Sequence, residues 1–65
     1  MATMVERLRL VEDAVEQVQY RYGYITDEEM TVRVTQYVGF AVRGWLRTLA
    51  LDYYREMREF VAEAA

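Results

Sequence analysis

The stretch Gly23-Tyr24-Ile25-Thr26-Asp27-Glu28-Glu29-Met30 decides the fold. Thr26 followed three residues later by Glu29 is a capping box: the hydroxyl accepts from a backbone N–H of the first turn, and the carboxylate reaches back to the threonine N–H. Ile25 before the cap and Met30 four places into the helix form a hydrophobic staple. Asp27, Glu28 and Glu29 put negative charge on the positive end of the helix dipole. Gly23 stands where a preceding helix would stop. One helix therefore ends near residue 22, a loop covers 23–26, and a second helix starts at 27. Thr3 and Glu6 repeat the box at the head of the first helix, which sets the order of two helical units.

Toward the N-terminus, Met4, Leu8, Val11, Val15, Val18 and Tyr22 recur at alternating spacings of four and three. That is the apolar seam of a bundle helix. Valine is a weak helix former, so packing rather than propensity must hold the segment. A short loop between helices makes them antiparallel neighbours. Toward the C-terminus, Val34, Val38, Ala41, Val42, Trp45, Leu49, Tyr53, Met57 and Phe60 continue at helical spacing, with no stop as clear as Gly23. The pattern predicts an all-α chain: an antiparallel hairpin of helix 4–22 and a long helix over about 27–62. Kink candidates are Gly44 and Asp52, the latter able to cap a new helix.

The two lengths conflict. At 1.5 Å per residue the first helix spans about 28 Å and the second about 52 Å. Either a second chain covers the excess, most simply as a homodimeric four-helix bundle, or the long helix breaks and folds back as a third. The expected core or oligomer interface is Leu8, Val11, Val15, Val18, Val38, Val42, Trp45, Leu49, Tyr53 and Phe60. A competing reading keeps residues 30–36 as a strand, because Met30-Thr31-Val32-Arg33-Val34-Thr35-Gln36 alternates and is β-branched. A short strand before two helices resembles the ribbon-helix-helix repressors. That resemblance implies base-edge contacts from Thr31, Arg33 and Thr35. The chain departs from that pattern in three ways: a whole helix precedes the strand, the strand starts inside a capping box, and no glycine turn separates the later helices.

Composition sets the remaining bounds. The chain has 65 residues, 54% of them apolar and 14% aromatic, with a net charge of −3. A single domain of this length buries only about 60% of its unfolded surface, so some apolar residues are expected against a partner. Cysteine, histidine, lysine, asparagine, proline and serine are all absent. Disulfides, thiolate metal sites, Ser–His or Cys–His nucleophiles and Schiff-base chemistry are thereby excluded. Pairs such as Glu12 with Glu16 read as solvated charge, and a di-iron Glu-x-x-His element cannot be built. Gly39 and Gly44 stand at the P-loop interval, but Trp45-Leu46 replaces the phosphate-binding Lys-Ser/Thr. No enzyme activity, metal or cofactor is expected. No leader pattern or membrane-spanning run is visible, which points to a cytoplasmic setting.

All eight cations are arginine. Residues 30–51 hold Arg33, Arg43 and Arg47 and no acid, whereas residues 1–29 hold three arginines against seven acids. On one continuous helix Arg33, Arg43, Arg47, Arg55 and Arg58 would share a sector. Arg33, Phe40, Arg43, Arg47 and Tyr54 are the expected partner-binding set, since arginine and tyrosine are common interface anchors. The partner expected is another protein, alongside self-association. Phosphate contact with nucleic acid through the same arginines is the alternative, and the acidic net charge counts against it. Trp45, on the apolar side of the wheel, is expected inside.

Overall fold

The computed structural model describes residues 3–64, and side chains as far as Phe60. Three helices pack on one another: α1 (Met4–Tyr22), α2 (Asp27–Val38) and α3 (Trp45–Ala64). Among the described residues there is no strand, and 30–36, the candidate strand, lie inside α2. The strand reading fails because α2 buries Met30 and Val34, four apart, on one helical face.

Both helix starts fall where the caps require. Thr3 Oγ1 accepts from Glu6 N at 3.2 Å, and Thr3 N donates to Glu6 Oε2 at 3.3 Å. Thr26 Oγ1 accepts from Glu29 N at 3.1 Å. The Glu29 carboxylate is turned instead toward Arg33, 3.5 Å away, one helical turn on.

The single long second helix is not formed. The chain leaves α2 at Gly39 and re-enters a helix at Trp45. Gly39 lies in the left-handed region at φ 81°, and its N–H closes α2 by donating to Thr35 O at 3.0 Å. Gly44 also has positive φ, 63°. Left-handed backbone is strained for any residue with a Cβ, so these two glycines define the break. The apolar rhythm runs through it because Val42, in the connector, is itself buried in the core. The second kink candidate, Asp52, is an exposed residue within α3.

The restart also changes the phase of the last helix. The core takes Val11, Ala14, Val15 and Val18 from α1, Met30 and Val34 from α2, Val42 from the connector, and Leu46, Ala50, Leu51 and Tyr54 from α3. The buried line on α3 is thus 46-50-54, about 100° round from the expected 45-49-53 line. Trp45 is 49% exposed, and Leu49 is exposed too. Leu8, Val38 and Tyr53 pack against the core from its edge, and Phe60 is 73% exposed.

Three contacts fix the direction of travel. Tyr22 near the end of α1 meets Arg33 of α2, and Arg7 near the start of α1 meets Phe40 just beyond α2, so α2 returns along α1. Arg55 of α3 donates to Asp27 Oδ2 at 2.7 Å, which brings α3 back to the head of α2. Tyr54, fully buried, makes the tightest tie to the 23–26 loop. Its hydroxyl accepts from Ile25 N at 2.8 Å and donates to Ile25 O at 3.1 Å. Arg58 lies over the rings of Tyr24 and Tyr54 at 5.4 and 5.6 Å. Tyr53 turns toward α1, where burial, then Glu16, pushes its hydroxyl above the usual tyrosine value.

Candidate functional site

A cluster of exposed arginine and aromatic residues lies along the 39–44 connector and the first turn of α3. The connector's ends are set by the two glycines and its middle by Val42, which is held in the core. Phe40 packs against the core with one edge, and the Arg7 guanidinium stands 5.5 Å above its ring. That cation–π contact joins α1 to the connector. Between these anchors Arg43 points outward. The chain then turns into α3, where Trp45 and Arg47 occupy the first turn and Leu49 follows on the Trp45 side.

The charge here is uncompensated. Among the described residues, the carboxylate pairings are Arg33 with Glu29 and Arg55 with Asp27 and Asp52. Arg7, Arg43 and Arg47 are in none of them. The first turn of α3 carries no acidic residue, so the positive end of its dipole adds to the same field. The opposite end of the bundle has Asp27, Glu28 and Glu29 in the first turn of α2. There Asp27 holds the Arg55 guanidinium above its usual pKa through a direct hydrogen bond.

The five expected partner-binding residues do not form one surface. Phe40 and Arg43 lie in the connector, and Arg47 follows in the first turn of α3. Arg33 stands elsewhere on α2, its guanidinium 3.8 Å from the Tyr22 ring centroid. Tyr54 is inside, because it is the residue that locks α3 onto the 23–26 loop. The arginine sector expected along a continuous helix dissolves with the break: Arg55 turns to Asp27 and Arg58 to the tyrosines. Trp45, expected inside, is half-exposed and joins Arg43 and Arg47 as a candidate. The sequence signal that could have found it is its place directly after Gly44, in a first helical turn, where one side of the helix has no neighbour.

Such a surface can bind by cation–π contact, guanidinium–carboxylate pairing and burial of the indole. Among the described residues no three carboxylates converge as a metal ion would require, and no helix is long and apolar enough to cross a membrane. No family model, curated protein or solved structure matches the chain.

Proposed function

We propose that this three-helix chain is a non-catalytic protein-interaction module, an adaptor, regulator or inhibitor, that binds through the connector end. The observation that carries this reading is a half-exposed tryptophan, Trp45, flanked in sequence by two exposed arginines, Arg43 and Arg47, that have no ion-pair partner among the described residues. Tryptophan and arginine are the residue types most enriched where binding energy concentrates. Phe40, with the Arg7 guanidinium over its ring, precedes them in the connector. The test is capture from the native cells with the wild-type chain beside Trp45→Ala and Arg43→Glu/Arg47→Glu. Each variant should lose the partner, since an anchor of this kind is worth about 2 kcal/mol or more, roughly thirtyfold. Equal recovery by all three forms would contradict the proposal.

Self-association is part of the same reading, but its basis has changed. A long helix in need of cover no longer supplies the reason for a four-helix dimer. What favours pairing is the exposed α3 side bearing Leu49 and Phe60, which two three-helix subunits would bury together. Sedimentation at micromolar concentration is expected to give a dimer that Leu49→Glu disperses; a wild-type monomer throughout would remove this element.

The unpaired Arg7, Arg43 and Arg47 favour one second reading, contact with nucleic-acid phosphates. Filter binding at two salt concentrations separates the two. A phosphate-driven complex weakens steeply as salt rises, and no retention of DNA or RNA at low salt eliminates it.

A further inference from the structure

A concavity lies between α1 and α2, away from the connector residues. It is an open groove of about 200 Å³. Gln17, Arg21 and Tyr22 line it from α1, and Arg33, Gln36 and Tyr37 from α2. The lining therefore contains two guanidiniums, two carboxamides and two phenols, and no carboxylate. Every polar group in it can donate a hydrogen bond.

Arg33 is the organised part of the groove. Its guanidinium is held at 3.8 Å from the Tyr22 ring centroid, so the ring covers a face of the group and leaves its edge for polar contacts. The guanidinium edge is a planar fork, matched by a carboxylate in two parallel bonds. The existing partner is weak: Glu29 reaches one terminal nitrogen at 3.5 Å, well beyond the usual 2.7–2.9 Å of a charge-assisted bond. The Nε atom is shielded from solvent and has no acceptor. A shielded donor left unpaired is an unfavourable state that an incoming acceptor relieves. Arg21, across the groove, has no carboxylate partner among the described residues.

We propose that this groove is a docking site for an acidic segment of a partner protein, one carboxylate side chain of which pairs with Arg33 and Arg21. Charge complementarity selects the occupant. The volume is below the range of most small-molecule sites and suits a single side chain. The open side lets the rest of a peptide pass across Tyr22 and Tyr37, both half-exposed. The site is independent of the connector surface, so either can fail alone.

The test is an NMR titration of the full chain with a short peptide of alternating glutamate and alanine. The expected result is a saturable shift of the Arg33 Nε–H signal and of amides in 17–22 and 33–37. Arg21→Gln and Arg33→Gln should each weaken binding at least tenfold, and Arg33→Lys several-fold, because it keeps the charge but loses the fork. Arg43→Glu/Arg47→Glu should bind as the wild type does. Circular dichroism checks that each variant keeps its helices, and Arg21→Gln, altering an exposed residue, serves if Arg33 variants unfold. Shifts confined to 40–47, no saturation, or unchanged affinity in Arg21→Gln would overturn the proposal. So would inorganic phosphate reproducing the same shifts at the same concentration, which would make the groove a general oxyanion site.

Discussion

Tyr54→Ala is expected to unfold the chain, whereas Trp45→Ala leaves it folded. Tyr54 is fully buried (0% exposed), and it is among the largest side chains in the core. Removing a buried aromatic ring costs about 3–5 kcal/mol through lost transfer energy and the cavity left behind. A 65-residue domain has a total stability of roughly 3–10 kcal/mol. The Tyr54 hydroxyl also hydrogen-bonds both backbone atoms of Ile25, so its loss frees the 23–26 loop from α3. Tyr54→Phe isolates that second effect: the packing stays while the Ile25 N–H and C=O lose their partner, at about 1–3 kcal/mol. Urea denaturation followed by circular dichroism measures all three variants. A Tyr54→Ala chain as stable as the wild type, or a Trp45→Ala chain that fails to fold, would reverse the assignment of these two residues.

Replacing both connector glycines, Gly39→Ala and Gly44→Ala together, is expected to destabilise the chain by about 2–4 kcal/mol. Each adopts positive φ, where a residue with a Cβ pays roughly 1–2 kcal/mol. Space is not the issue, because a Cβ built at either position meets nothing within 4 Å. Alanine also favours helix, by about 1 kcal/mol per residue over glycine. The substitutions thus penalise the native break and favour its continuous alternative at once. Thermal melting by circular dichroism should show a lower midpoint together with added helical signal. A midpoint equal to the wild type would mean that the break does not depend on these two conformations.

These two experiments mark the line between what could be read from the residues and what could not. Helix type, both N-terminal caps and the extent of α1 were legible because capping is local chemistry, settled within four residues. The α1 seam was legible for a related reason: Val11, Val15 and Val18 are valines on one face, with acids on the other. Gly44 marks a candidate break, but periodicity does not favour it over a continuous helix, since Val42 keeps the apolar rhythm while standing outside any helix. A continuous second helix hands its phase on from α2 to α3, which places Trp45 and Leu49 where Leu46 and Ala50 belong. Alanine carries little hydrophobic signal and tyrosine reads as amphipathic, so the true 46-50-54 line looked weaker than its neighbour. Tyr54 went to the surface in that reading because nothing local announces a hydroxyl whose partner lies 29 residues away.

The candidate site was half legible. Arg43 and Arg47 stand out by charge segregation, which survives any change of helix phase, and both are exposed. Arg33 belongs to a different surface, because a helix that ends at Val38 cannot carry it alongside Arg43. The gain from the structure is a division of labour among the arginines. Arg55 and Arg58 brace the fold, Arg33 stacks on Tyr22, and Arg43 and Arg47 are exposed, two residues either side of Trp45 in the sequence.

The measurement that bears most directly on this arrangement is the run of backbone carbon secondary shifts from residue 27 to residue 64 in dilute solution. A three-helix chain gives helical values over 27–38, a return to non-helical values across 39–44, and helical values again from 45. Uninterrupted helical values through Gly39 and Gly44 would contradict it, restoring the long second helix and removing the connector surface on which the proposed binding stands.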